Sequence, residues 1–292
     1  MNIAIVGATG NVGRKTLEVL EKKELEIDNL YLVASSRSAG IKIKFRGKEY
    51  EVEELDSFDF SKAKIIFFAA GGKISEQFAE KASKNSLVID NSSFFRMDPD
   101  VPLIVPQVNS EDLNSIKKNI VANPNCSTAQ LVIVLKPLHD LFVIKRVVVS
   151  TYQSVSGGGK APMDELIEQT KFVLDGKKIV SKNFTKQIAF NAIPHIDKFS
   201  DSGYTKEELK MTNETKKILD KKIDLTATCV RLPISISHAE SVNIQFEKPF
   251  SLEKVRSALE NFEGCKVIDE RVDGGYATPL DAEGKDETFI SR

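Results

Sequence analysis

The sequence predicts a two-part α/β protein: a doubly wound parallel sheet, then an α+β unit with a mostly antiparallel sheet. Three observations carry this. Up to Ala122, short β-branched runs alternate with helix-period segments, the pattern of a parallel sheet covered on both faces. A turn with glycine at every third position, Gly7-Ala8-Thr9-Gly10-Asn11-Val12-Gly13, joins the first run to the first helical segment. Beyond Asn123-Pro124-Asn125 the strands lengthen and group apart from the helices, so the boundary is expected between residues 1–125 and 126–292.

In chain order, residues 3–6 form a buried strand and residues 12–20 a helix whose apolar positions are Val12, Leu17 and Leu20. Strands follow at 30–34, 65–69, 87–90 and 120–122, with helices expected at 74–82 and 112–116. Residues 41–58 interrupt this rhythm with a small antiparallel hairpin turning at Gly47. In the second part, residues 127–142 read as a long apolar helix and 145–153 as a strand. Helices are expected at 162–174 and 206–219, strands at 225–236 and 241–247, and a last helix at 252–262.

Composition narrows the function classes. Across 292 residues, 41 basic side chains against 42 acidic ones leave a net charge of −1, so no overall field recruits nucleic acid or an anionic membrane. No apolar run approaches the ~20 residues of a membrane span. The N-terminus enters Asn2-Ile3-Ala4-Ile5-Val6 without a basic region and cleavable apolar stretch, which leads us to expect a cytoplasmic protein. Cys126, Cys229 and Cys265 are odd in number and form no CxxC pair, so a disulfide framework is not expected. His139, His195 and His238 give no metal spacing.

The glycine turn is a candidate dinucleotide site. Glycines there let the backbone approach a pyrophosphate, while the helix start offers free N–H groups and a positive dipole end. Gly7, Thr9, Gly10, Asn11 and Val12 are the candidate contacts, although the spacing is G-x-x-G-x-x-G rather than G-x-G-x-x-G. An NAD-preferring site usually carries an acid after the second strand. Here that segment reads Ser35-Ser36-Arg37-Ser38-Ala39-Gly40. Ser35, Arg37 and Ser38 suit the 2′-phosphate of NADP, which a carboxylate would repel.

Asn123-Pro124-Asn125-Cys126-Ser127-Thr128 places Cys126 at the first turn of the apolar helix, where the dipole and free N–H groups favour a thiolate nucleophile. Taken alone, a single cysteine is more often a small buried hydrophobe. Its polar setting argues for chemistry.

Together GATGNVG, SSRSAG, DNSSFFR, VPQVN, NPNCST, STYQSVSG, NAIPHID, MTNETKKI and CVRLPISISHAES, in this order, resemble the aspartate-semialdehyde dehydrogenase family, in its bacterial branch. The resemblance spans the chain and implies a Rossmann-type NADP-binding domain followed by a catalytic and dimerisation domain. It implies NADPH-dependent reduction of β-aspartyl phosphate to aspartate-β-semialdehyde and phosphate, through a cysteine thioester, toward lysine, methionine and threonine. By the same resemblance Cys126 is the nucleophile, His238 the general acid/base and Gln153 the residue that orients the reacting group. Arg231 would hold the substrate carboxylate and Glu214 its ammonium, with Arg96, Asn125 and Lys217 on phosphate. Ala70, Ser156, Gly157 and Pro194 would lie beside the nicotinamide. A homodimer or a dimer of dimers is implied, with small-molecule substrates and neither nucleic acid nor membrane.

Two residue-level checks accompany these roles. Glu214 and Lys217 are spaced i, i+3 and share a helix face, where a surface ion pair is the commoner outcome. Arg231 and His238 are seven apart, so on one uninterrupted strand they would face opposite sides; if both reach one pocket, a bulge or turn near Pro233 must intervene. His139, His195, Cys229 and Cys265 match no catalytic position. Family members continue past the equivalent of Arg292 into a strand, an Asp-Asn-Leu turn and a helix that covers part of the cofactor sheet. The resemblance therefore implies a cofactor site lacking that contact. Two alternatives stand beside the leading reading: an N-acetyl-glutamyl-phosphate reductase-like enzyme, for which Glu214 has no ammonium to meet, and a non-catalytic NADP-binding or dimerising remnant.

Overall fold

Short β-branched runs flanked by amphipathic helices become parallel strands because both of their faces can be covered. The structure, a computed structural model, describes residues 1–292. It divides into one unit of Met1–Ile104 with Ser110–Pro124 and another of Val105–Asn109 with Asn125–Arg292.

In the first unit the order is β1 (Asn2–Val6), α1 (Asn11–Lys22), β2 (Asn29–Ala34), β3 (Lys42–Phe45), β4 (Lys48–Glu54), β5 (Ile65–Phe68), α2 (Gly72–Ala82) and β6 (Leu87–Asp90). A short α3 (Pro106–Asn109), grouped with the second unit, precedes β7 (Ile120–Ala122). The sheet runs β3-β4-β2-β1-β5-β6-β7. The hairpin of β3 and β4 is antiparallel, and β4 pairs parallel with β2, so the insertion extends the sheet. β1 pairs parallel with β2 on one side and β5 on the other. That is the topological switch point, and ligands of open α/β sheets bind in the crevice beyond the strand ends there.

Two local expectations are corrected. The helix expected at Asp112–Ile116 is a 3-10 segment, Ser110–Ser115, in which the Ser115 hydroxyl donates to the Asp112 carbonyl. Serine, asparagine and aspartate there compete with regular helical bonding. Val12, read as apolar face, is 45% exposed; the buried positions of α1 are Gly13, Leu17 and Leu20. Gly13 makes the close approach and so turns Val12 outward. A Cβ on Gly13 would lie 2.2 Å from the Gly7 carbonyl oxygen, and one on Gly7 (φ +88°) 2.7 Å from that of Ala69.

The second unit contains α4 (Cys126–Phe142), β8 (Ile144–Gln153), α5 (Lys160–Leu174), α6 (Lys206–Ile218), β9 (Asp224–Arg231), β10 (Ala239–Phe246), α7 (Leu252–Glu260), β11 (Cys265–Val267), α8 (Pro279–Ala282) and β12 (Thr288–Ile290). Its main sheet is β10-β8-β9. The antiparallel pairing expected holds for β8 with β10, whereas β8 and β9 are parallel, so the sheet is mixed. A parallel pair needs a long crossover, and the connection holding α5 and α6 supplies one.

β9 ends at Arg231 rather than at Ile236. The Leu232 N–H still donates to the Gln153 carbonyl, but Pro233 has no N–H to continue the ladder. The chain then turns through Ser237 (φ +71°) before β10. Arg231 and His238 are thus separated by the turn that their odd spacing requires.

Leu131, Leu135, Leu138 and Phe142 form one stripe of α4 against Val147 and Val149 of β8, Leu225 and Ala227 of β9, and Met211 of α6. Each such side chain contributes about 1.5–3 kcal/mol by burial, against ~0–1 for the exposed ion pairs, so this core fixes α4 on the sheet. Pro137 lies inside α4 and leaves the Ile133 carbonyl without its helical donor; the Cys265 thiol lies 3.8 Å from that oxygen. No helix is long and apolar enough to cross a membrane.

Gly13→Ala is expected to destabilise the chain by ~1–3 kcal/mol, the cost of forcing a methyl into packed backbone. A lowered urea midpoint at unchanged m-value would register it.

Candidate active site

In the first unit, the turn of Gly7, Thr9, Gly10, Asn11 and Val12 opens at the carboxyl end of β1, with Gly10 as the N-cap of α1 and no side-chain capping hydrogen bond. Ser35, Arg37 and Ser38 follow β2, and the Thr9 hydroxyl lies 3.4 Å from that of Ser38. Ala70 follows β5. These three segments surround the switch point, and the turn is held there by Gly7 and Ala8 N–H groups donating to the Val33 carbonyl at 2.7 and 3.2 Å. Arg37 is exposed, and no carboxylate stands in its turn. Arg96 is buried, its guanidinium donating to the carbonyls of Asn123 (2.8 Å) and Asn91 (3.2 Å).

In the second unit the site grows from the start of α4. Asn125 caps the helix, its side-chain oxygen accepting from the Ser127 and Thr128 N–H groups at 3.0 and 3.4 Å. Its amide nitrogen donates to Glu207 (2.8 Å) and its backbone N–H to Glu214 (2.6 Å). Cys126 follows as the first helical residue, and its exposed Sγ lies 3.2 Å from Nε2 of His238. The other ring nitrogen, Nδ1, lies 3.1 Å from both the backbone N–H and the hydroxyl of Ser154. Gln153, buried at the end of β8, donates to the Ser127 hydroxyl (3.0 Å) and to Glu207 (3.3 Å).

Arg231 ends β9 and donates to the Ser154 carbonyl. Gly157 lies beside it: a Cβ there would be 3.5 Å from Arg231 Nη1 and 3.7 Å from His238 Nε2. Ser156 bonds the Ser154 hydroxyl at 3.0 Å. Pro194 is exposed and follows Ile193, which pairs antiparallel with Arg231. Cys126, Gln153, Arg231, His238, Ser156 and Gly157 therefore converge. Glu214 is buried on α6, with Lys217 one turn further along the helix. His195 stacks on Phe199 with centroids 4.3 Å apart, outside this cluster. No group of three or more His, Cys, Asp or Glu could hold a metal ion.

Electrostatics set the protonation states. Burial, reinforced by the Arg231 charge, pushes His238 down to about 4, so its imidazole is neutral at physiological pH. Burial also lowers Arg231, opposed by the charges of Glu207 and the nearby thiols. Glu207 is 6% exposed, and burial alone would raise it. The Lys210 charge and the bonds from Asn125, Lys210 and Gln153 outweigh that and hold its carboxyl below the ordinary range. Burial drives Cys229 up to about 12 and Cys265 to about 11, which leaves both as unreactive thiols.

Residues 2–116 match the semialdehyde dehydrogenase NAD binding domain, and residues 135–292 match the semialdehyde dehydrogenase dimerisation domain. An aspartate-semialdehyde dehydrogenase of Aquifex aeolicus is 51% identical over 295 aligned positions, covering 99% of this chain and 87% of that one. This chain belongs to the aspartate-semialdehyde dehydrogenase family. The crystal structure of aspartate semialdehyde dehydrogenase II from Vibrio cholerae superposes with a TM-score of 0.97 at 46% identity, covering 100% of this chain and 87% of that one. A second structure of that Vibrio enzyme, complexed with ASA, gives 0.95 at 46% identity, covering 98% and 85%.

For a semialdehyde dehydrogenase, two polar residues of this site escape sequence reasoning. Glu207 is visible only as an acid in the first turn of α6, where dipole stabilisation is its ordinary explanation. Ser154 reads as an unremarked loop serine after the strand. Nothing in their local spacing announces that one binds Asn125 and Gln153 and the other His238.

Iodoacetamide at pH 7.5 is expected to label Cys126 at least about tenfold faster than Cys229 or Cys265, because only an accessible thiolate reacts. Peptide mass mapping of early time points checks this, and preferential labelling of Cys229 would contradict the burial described.

Proposed function

We propose that the chain catalyses the reversible, NADPH-dependent reduction of β-aspartyl phosphate to aspartate-β-semialdehyde and phosphate, in the biosynthesis of lysine, methionine and threonine. The observation that carries this is Cys126 Sγ at the open start of α4, 3.2 Å from a neutral imidazole. A helix N-terminus stabilises the thiolate, and the ring beside it can accept or return a proton at Nε2.

The chemistry divides among residues as follows. The Cys126 thiolate adds to the acyl carbon; the bond from that carbon to the phosphate oxygen breaks, and phosphate leaves a thioester. NADPH, when bound, supplies the hydride that reduces this thioester carbon. His238 gives a proton from Nε2 to the resulting oxygen and takes it back as the carbon–sulfur bond breaks, which releases aldehyde and regenerates thiolate. Gln153, positioned by Ser127 and Glu207, orients the reacting group. Arg231 presents a fork to the substrate carboxylate, and Glu214 meets its ammonium. Arg96, Asn125 and Lys217 bind phosphate. In Asn125 the side chain already caps α4 and binds Glu207, so its contribution to an anion comes with a fixed orientation.

NADP is held by Gly7, Thr9, Gly10, Asn11 and Val12 at its pyrophosphate and by Ser35, Arg37 and Ser38 at its 2′-phosphate. Ala70, Ser156, Gly157 and Pro194 are its nicotinamide-side neighbours. The match of residues 135–292 to a dimerisation domain supports a homodimer, with a dimer of dimers as a further step of assembly. A cytoplasmic location accords with the small-molecule substrates.

The deciding experiment follows NADP reduction by purified chain given aspartate-β-semialdehyde, with and without phosphate. Turnover that requires phosphate, and falls at least about 10³-fold in Cys126→Ala with NADP affinity retained, is expected. Phosphate-independent turnover, or an active Cys126→Ala, would reject the thioester route. Arg37→Glu is expected to weaken NADPH binding by roughly 10- to 100-fold, the worth of a charge-assisted bond plus repulsion, and NADH binding far less. Equal losses for the two in fluorescence titrations would reject the 2′-phosphate role.

A further inference from the structure

The proposed reaction gives Glu207 no contact with substrate, yet its two oxygens decide which way a neighbouring amide points. Oε2 accepts from Lys210 Nζ at 3.1 Å, and Lys210 also donates to Asp197 at 2.8 Å. Oε1 accepts from two amide nitrogens, Asn125 Nδ2 at 2.8 Å and Gln153 Nε2 at 3.3 Å. The Lys210 charge and these bonds hold the carboxyl ionised. An ionised carboxylate only accepts, so the atom of Gln153 that faces it is the nitrogen. Turned over, that amide would set its oxygen against a carboxylate oxygen with no proton between them.

Asn125 is fixed from the other side. The Ser127 and Thr128 backbone N–H groups both point at its Oδ1, which leaves its nitrogen for Glu207. In Gln153 the second amide hydrogen goes to the Ser127 hydroxyl at 3.0 Å. Both N–H groups of Gln153 are therefore taken inside the protein. Its side-chain oxygen accepts from no group of the chain and is the one polar atom of that side chain left for a ligand.

We infer that Glu207 is a positioning residue that makes Gln153 an acceptor toward substrate, and that the donor Gln153 reads is the substrate ammonium. This rests on the reaction proposed above. Aspartate-β-semialdehyde carries a carboxylate, an aldehyde and an ammonium, and only the ammonium donates. Glu214 already accepts the Asn125 backbone N–H at 2.6 Å, and an ammonium has three N–H groups to place, so a second acceptor is needed. Asn125 ties the two acceptors together, bonding Glu214 through its backbone and, through its side chain, the carboxylate that holds Gln153. A substrate without the ammonium leaves a buried oxygen unpaired, and that loss is the source of discrimination.

Succinate semialdehyde is the same molecule with hydrogen in place of the ammonium. The readout is the ratio of kcat/KM for aspartate-β-semialdehyde to kcat/KM for succinate semialdehyde in the phosphate-dependent assay. Damage to the fold, to Cys126 or to His238 lowers both values alike and leaves the ratio unchanged. Glu207→Met removes the acceptor at similar side-chain length. It is expected to lower the ratio roughly 10-fold, the low end for a hydrogen bond to a charged group. Gln153→Met is expected to lower it at least as far, and the double variant no further than Gln153→Met, because the carboxylate acts through the amide. An unchanged ratio in Gln153→Met overturns the ammonium as the donor. An unchanged ratio in Glu207→Met, or a further loss in the double variant, overturns the positioning role.

Should Glu207→Met fail to fold, Glu207→Gln and Gln153→Met decide together. Glu207→Gln is expected to keep the ratio within about threefold, because Asn125 holds the new side-chain oxygen where Oε1 stood, whereas Gln153→Met loses it. Equal ratios in these two variants overturn the inference. An unaltered chain without phosphate-dependent turnover rejects the proposed reaction itself, an outcome distinct from any change in the ratio.

Discussion

Glu207 is a carboxylate withdrawn from water whose partners come from three different parts of the second unit. Desolvating such a group costs several kcal/mol unless paired charges and hydrogen bonds replace its hydration. Asn125 at the cap of α4, Gln153 at the end of β8 and Lys210 one turn along α6 supply that replacement. Any shift of the start of α4 relative to the end of β8 leaves one of these bonds unmade. The cap precedes Cys126 by one residue and Gln153 precedes Ser154, so the geometry of the Cys126 thiol and of the ring beside it depends on this one buried charge. Hydrophobic burial along α4 determines where the helix lies; Glu207 determines how its first turn is presented.

Above that anchor, the site is built from competing charges. In the proposed reaction Arg231 is a fork for a carboxylate, yet its proximity disfavours a positive ring on His238. Under that proposal, a bound substrate carboxylate would offset the repulsion, so the guanidinium would act against a charged His238 ring mainly while the site is empty. The same proposal has the ring neutral in the free protein and eased toward protonation by the substrate, so that its proton chemistry waits for something to react with.

The first unit was largely legible from sequence, because parallel strands buried on both faces must be β-branched and the glycine turn has a strict steric purpose. The start of α4 was legible for a similar reason: Asn125 is a strong cap, and a cap fixes the residue that follows it. Legibility failed wherever the decisive partner is distant. Leu225–Ile236 alternates as one strand, but the N–H missing from Pro233 ends the ladder near Arg231. The parallel pairing of β8 with β9 leaves no local trace, since alternation specifies a face and not a neighbour's direction. Glu207 and Ser154 look ordinary because their roles consist of contacts made across the fold. The roles proposed for His238, Arg231 and Glu214 rest on the family resemblance, since spacing alone reads them as a loop histidine and surface charges.

Gln153 and Arg231 are register partners across the parallel pair β8–β9, and nearly eighty residues of chain separate them. Closing so long a segment carries an entropic cost that shorter-range pairings such as β8 with α4 do not share. A refolding chain can therefore gain most of its helical signal and a sheet nucleus while Arg231 is still remote from the glutamine it must join. Recovery of activity then times a long-range strand pairing rather than helix formation, and a chaperone or crowding agent that speeds collapse without speeding that closure yields protein with native-like helicity and an unassembled site.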